Sequence, residues 1–185
     1  MLRQREQVLD FWRRSPAPLV DTVYADPNEL LNTNPYQRGA WVLHMLRARV
    51  GDARFFEGVR HYYLRHARAN ATTDSLRVAF EAATGDDLRA FFEQWTRRAG
   101  QPRLEAAWRY DAPAREVVLT LRQRQPGAPF AFPLDVALGG ALHTVEVDAM
   151  SETFRLPAAA RPSSLVLDPR VRLLFEDGGV RETSD

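Results

Sequence analysis

Few side chains in this sequence combine the types and spacing that chemistry needs. Four histidines, His44, His61, His66 and His143, are the natural nitrogen ligands for a metal. A His-Glu-x-x-His site sets two histidines one helical turn apart with a glutamate between them. His61 and His66 stand five residues apart with no acidic residue between them, so they diverge on a straight helix. His44 could meet them only through tertiary packing, and His143 falls in a different region. The sequence therefore predicts no metal ligands and no cofactor-binding residues. Nucleophiles fare no better. There is no cysteine, and no serine stands in a Gly-x-Ser-x-Gly turn. Gly139-Gly140 lacks the spacing of a phosphate-binding loop. Asp86 and Asp87 are paired carboxylates, but Asp86 reads better as a helix cap.

The stretch NPYQRGAWVLHMLR, residues 34–47, is more distinctive. Tyr36 lies at the start of a helix, where its ring can project from the protein. A phenol there can donate a hydrogen bond to a developing oxyanion. The competing role is an amphipathic tyrosine covering a helix end, and from the residues alone that role is favoured. Gly39 inside the helix costs about 1 kcal/mol relative to alanine, which predicts close approach of another backbone.

The elements that must position these residues fall into two regions divided near residue 100. Before it, apolar residues recur at helical spacing. Residues 2–13 form an amphipathic candidate with Leu2, Val8, Leu9 and Trp12, ended by SPAP at 15–18. Residues 15–35, with four prolines, read as an irregular connection. A helix then begins near Pro35 and Tyr36 and stops at Gly51. Asp52 is read as the cap of the next helix, Thr72 or Thr73 of another, and Asp86 of a last one ended by Gly100.

From Pro102 the pattern becomes alternation broken by turn residues. LEAAWRY, EVVLTLRQ, FAFPLDVAL, ALHTVEV, ETFRLP, SSLVLD and VRLLFE are seven strand candidates. They predict a small antiparallel β-sandwich. The expected fold class is α+β in two segments, an N-terminal helical bundle followed by a small all-β sandwich. The expected segments are 1–101, 102–178 and a tail over 179–185.

Composition bounds the rest. The chain has 185 residues, 45% hydrophobic and 26% charged, with a net charge of +1. That is ordinary globular composition, far from the profile of disorder. No apolar stretch is long enough to span a membrane, and the opening MLRQREQVLDFWRR lacks the apolar core of a secretory signal. The compartment stays open. All 25 basic residues are arginine, nearly balanced by 24 acidic ones. The two signs are interspersed, with only short basic pairs such as Arg13-Arg14 and Arg97-Arg98. This predicts solvated surface charge and no nucleic-acid partner.

The region YQRGAWVLHMLRARVGDARFFEGVRHYYLRHARANATTDSLRVAFEAATGDDLRAFFEQWTRRAGQPRL resembles the aminopeptidase N family of zinc metallopeptidases. The family pattern runs from Tyr-x-Lys-Gly through an apolar helix and a Gly-Asp turn to a Thr-Thr helix start. It ends at a Trp, then at Gly-x-Pro leading into a β-domain. Tyr36, Gly39, Leu43, Met45, Leu46, Gly51, Phe55, Thr73, Leu76, Phe80, Gly85, Phe92, Trp95, Gly100 and Pro102 take those places in order. The resemblance covers residues from about 20 to 105.

The resemblance implies that Tyr36 donates its hydroxyl to the oxyanion of a tetrahedral intermediate. Arg38 replaces the family's lysine and is given no catalytic role. The family's His-Glu-x-x-His, its later glutamate ligand and its Gly-x-Met-Glu-Asn stretch have no counterpart here. The chain therefore resembles the C-terminal part of a longer enzyme, with residues 1–101 the helical half of a thermolysin-like catalytic domain. Zinc and a peptide substrate are expected only in the full-length protein, and the isolated chain is expected to be inactive. Its partner would be the missing N-terminal and zinc-binding part. Without that part, self-association through the helical face is expected. The competing reading is a non-catalytic interaction or scaffold module of peptidase ancestry.

Overall fold

A computed structural model describes residues 1–183, so the end of the expected tail, 184–185, lies outside the described residues. Among the described residues the fold is α+β, with five α-helices followed by two small sheets. It divides into two compact units, Met1–Gly100 and Gln101–Asp185. No helix among the described residues is long and apolar enough to cross a membrane.

In the first unit, α1 (Leu2–Arg14) buries Val8 and Leu9. A short turn of 3₁₀ helix at Pro27–Leu30 interrupts the proline-rich connection. Its Asp26 side chain accepts the amide of Asn28 at 2.9 Å. Next comes a π-helical turn, Asn34–Arg38, continuous with α2 (Gly39–Val50). Helix α2 turns Trp41, Val42, Met45, Leu46 and Val50 inward. Helix α3 (Asp52–His66) and α4 (Thr73–Thr84) pack against each other. The contact is tight at Gly58, where an added Cβ would fall 2.6 Å from the Phe80 ring. The short α5 (Arg89–Phe92) runs into a second π-helical turn, Glu93–Arg97.

The caps follow local chemistry, with two departures. Thr72 and Ser75 form a reciprocal capping box, each side-chain oxygen accepting the other's amide at 3.2 Å. Gly85 ends α4 at φ 74°, a left-handed conformation that glycine adopts without steric cost. Asp52, read as a cap, instead lies in the first turn of α3 after Gly51. Its carboxylate holds Arg47 through two bonds of 2.9 and 2.7 Å across the α2–α3 junction. Asp86 does not cap α5 either. Asp87 takes the amide of Arg89 at 3.0 Å, and the helix starts later than expected.

The second unit has a four-stranded sheet in the order β5-β2-β1-β7 and a three-stranded sheet in the order β4-β3-β6. The strands are β1 (Arg103–Asp111), β2 (Glu116–Gln123), β3 (Phe132–Leu138), β4 (Ala141–Val147), β5 (Ser151–Pro157), β6 (Leu165–Leu167) and β7 (Glu176–Glu182). Alternation is clear on β1, where Leu104, Ala106 and Trp108 are buried.

Six strand candidates become β1 to β6, and the seventh does not. In VRLLFE the apolar residues Leu173, Leu174 and Phe175 are buried, but the segment precedes the last strand instead of forming it. The Asp168 carboxylate accepts the amides of Arg172 and Leu173, at 2.6 and 3.2 Å. Those amides are thereby withdrawn from any sheet ladder. The strand is EDGGVRE, which replaces the expected tail as far as Glu182. It also runs parallel to β1, so the unit is not wholly antiparallel. Gly178 lets it approach, since a Cβ there would meet the Leu104 carbonyl oxygen at 2.8 Å.

Candidate active-site segment

The segment around Tyr36 is built from both ends of the first unit. Asn34 opens the π-turn. Its amide donates to the Asn32 side chain at 2.8 Å, and its side-chain amide reaches the carbonyls of Ala17 and Pro18 at 3.3 and 3.4 Å. The Gly39 amide then donates back to the carbonyl of Asn34, closing the wide turn. Pro35 at its start has no amide to lose. Tyr36 projects from this turn 61% exposed, and its hydroxyl has no hydrogen-bond partner among the described residues. It is a phenol free to donate.

Gly39 does not serve the purpose read from the sequence. A Cβ there would lie 3.9 Å from the Asn34 carbonyl oxygen and 4.0 Å from a Leu19 methyl, ordinary contact distances. The glycine that a close approach requires is Gly58, which the sequence did not single out. A half-buried small residue and a packed one look alike in a single sequence.

An exposed apolar face continues beyond Tyr36. Leu43 stands on α2 about two turns further on. The Arg47 guanidinium lies 5.1 Å over the Phe56 ring and bridges to α3. There Phe56, Val59 and Tyr63 share one helical face at i, i+3 and i+7, and all are exposed.

The histidines do not converge. His44 meets the edge of Trp41, centroids 5.4 Å apart. His66 lies against Tyr62 at the same distance, His61 is exposed, and His143 is on β4. Among the described residues no group of three or more His, Asp or Glu side chains is placed to hold a metal. Many arginines are taken up in ion pairs, such as Arg77–Glu81 and Arg97–Asp74.

Arg38 is the side chain that sequence reasoning passed over. It is 1% exposed, and its Nη2 donates to the carbonyls of Arg98 and Gly100 at 3.2 and 2.8 Å. Burial lowers its pKa to about 10, which leaves it a cation at neutral pH.

Comparison with known proteins places this segment. Residues 3–95, half of the chain, match the peptidase family M1 domain, and the chain belongs to that family. It is 30% identical over 183 residues to aminopeptidase N of Streptomyces lividans, covering 85% of this chain and 21% of that protein. It is 29% identical over 112 residues to aminopeptidase N of Escherichia coli (strain K12), covering 60% of this chain and 13% of that one. In fold it is similar to Legionella pneumophila aminopeptidase A, solved in complex with aspartic acid. There the TM-score is 0.77 at 17% identity, over 95% of this chain and 21% of the other. The chain thus spans about a fifth of the length of such relatives. The aminopeptidase N resemblance read from the sequence holds, and the family is zinc-dependent in general.

Proposed function

We propose that the chain is the C-terminal part of a zinc-dependent aminopeptidase that removes N-terminal residues from peptides. In it Tyr36 donates its hydroxyl to the oxyanion formed at the scissile carbonyl. The observation that carries this reading is a phenol with an unengaged hydroxyl, projecting from a structured helix start inside the family match. Such a donor acts on charge that develops in the transition state, so it raises turnover more than it tightens substrate binding. Residues 1–101 would be the helical half of a thermolysin-like catalytic domain and 102–178 a small sandwich, which β7 extends to Glu182. Metal, general base and amino-terminus recognition would come from residues outside this chain. The chain alone would then be inactive, and its exposed helical face would drive self-association.

The test has two parts. The purified chain is assayed for aminoacyl-anilide hydrolysis, with zinc quantified in the same sample. Neither zinc nor turnover is expected, whereas tightly bound zinc with turnover would overturn the fragment reading. In the parent enzyme, Tyr36→Phe should lower kcat by roughly 10²–10³-fold with little change in KM. An unchanged kcat would remove Tyr36 from the chemistry and favour the scaffold reading of this segment. Light scattering checks self-association, which Phe56→Ser with Tyr63→Ser should reduce.

A further inference from the structure

We infer that Arg38 is a positioning residue for Tyr36, clamping the π-turn that carries the phenol onto the carbonyls of Arg98 and Gly100. The inference rests on the reading of Tyr36 as the oxyanion donor. Three features of the site converge on it. First, the Arg38 guanidinium is buried with no carboxylate in bonding range among the described residues. Its Nε and Nη1 have no hydrogen-bond partner, so Nη2 alone makes its two contacts. A cation kept under those conditions is poorly explained as a stabilising ion pair, because desolvation works against it. Second, the two acceptors lie just past the second π-turn, Glu93–Arg97, and are separated from Arg38 by 60 and 62 positions. One side chain therefore joins two irregular helix turns that local sequence does not connect. Gly100 takes φ 90°, and a Cβ added there would lie 3.4 Å from the Trp12 ring of α1, so α1 flanks the acceptor segment at contact distance. Helix α1 also packs on the Asn34–Arg38 turn itself.

Third, the turn is of a kind whose geometry needs support. A π-turn holds one residue more than the α-helical turn it replaces and is uncommon without a structural or functional reason. Relaxation to α-helix would rotate the residues before it by about 100° relative to α2, the rotation of one residue. Tyr36 lies within that stretch and Trp41 and Leu46 beyond it. Loss of the clamp would thus swing the phenol while leaving the buried face of α2 in place. Arg38 would not touch substrate; it would set where Tyr36 points.

The experiment compares wild type, Arg38→Met and Arg38→Lys of this chain. It reads the NMR signals of ¹³C-labelled tyrosine rings, assigned with Tyr36→Phe, and residue-resolved amide exchange. In the Met variant the Tyr36 ring signal should move toward its unstructured position. Exchange at Gly39 should rise at least about tenfold, while protection in α3 and α4 stays within about twofold of wild type. The Lys variant, which keeps the charge and a donor, should recover most of the Tyr36 shift. A folded Met variant with unchanged Tyr36 and Gly39 signals would overturn the proposal. So would an even loss of protection across Met1–Gly100, or a Lys variant as displaced as the Met one. If the Met variant does not fold, wild type decides: the amides of Gly39 and Gly100 should share one opening free energy, and exchange differing more than about tenfold would overturn the clamp. The parent enzyme separates the two readings. If the NMR signals move as expected but Tyr36→Phe leaves kcat unchanged, the oxyanion role fails and the clamp survives as a feature of the fold. If Tyr36→Phe lowers kcat while Arg38→Met leaves both kcat and the ring signal unchanged, the clamp alone fails.

Discussion

The two units bury their own apolar residues to different degrees. On the helical unit, Leu64 is 70% exposed and Tyr63, Tyr36 and Phe56 stand well out from the surface. On the strand unit the most exposed large apolar side chain is Val166, at 46%. Both have a core: Trp41, Leu46 and Phe80 are fully buried in one, and Leu104, Leu119, Leu121 and Leu134 in the other. The difference therefore lies in the surface. The strand unit reads as a finished layer arrangement, and the helical unit as one that still has a face to cover. The chain spans about a fifth of such relatives, and the asymmetry falls on the unit that carries Tyr36.

Four substitutions break or sharpen this contrast. The largest effect is expected from Phe80→Ala. Phe80 fills the α3–α4 contact and lies 5.4 Å from the Phe55 ring. Its loss should cost about 4 kcal/mol, seen by amide exchange as lost protection in α3 and α4 with β1 to β3 retained. Equal loss in both units would erase the distinction between them.

Next come two changes of similar size, one in each unit. In the strand unit, Asp135 accepts two bonds of 2.7 Å from Arg170 and one of 2.8 Å from Thr144. The hydrogen bonds from Arg170 hold its carboxyl below the ordinary carboxylate value of 3.8. A depressed carboxylate stabilises the fold above its unfolded pKa, and that contribution disappears as pH falls through the folded one. Asp135→Asn should therefore cost about 2 kcal/mol at pH 7 and progressively less as pH falls through the lowered pKa of the folded state, measured by urea unfolding across an acid pH series. A cost independent of pH would show that packing, not charge, is at stake. In the helical unit, Gly58→Ala should also cost about 2 kcal/mol, because the Phe80 ring must move to admit a methyl.

The smallest effect has the opposite sign. Gly39→Ala meets no close atom and replaces a poor helix former with a good one. It should stabilise the helical unit by about 1 kcal/mol in thermal melts. Destabilisation would mean that Gly39 serves a close approach within the helical unit after all.

Much of this was legible beforehand because its signals are short. Thr72 and Ser75, Gly85, and the alternation of β1 and β2 each depend on a few neighbouring residues. What misled did so for physical reasons. VRLLFE carries a strand's composition, but the Asp168 side chain, four and five residues before Arg172 and Leu173, takes their amides first. EDGGVRE lacks a strand's apolar alternation, and its Gly178 is there to let β1 come near. Asp52 reads as a cap until Arg47 is seen to hold it.

Tyr36 shows where the boundary falls. Sequence alone determined that it begins a helix, that the helix ends at Gly51, and that the pattern around it resembles the aminopeptidase N family. Those are consequences of local propensity and of motif order, and both are written along the chain. Only the tertiary structure decided that the helix begins with a π-turn, that Arg38 beneath it is buried without a counter-ion among the described residues, and that carbonyls about sixty residues away receive its donors. A hydrogen bond between such distant positions leaves no periodic trace in the sequence, because nothing at either end announces the other.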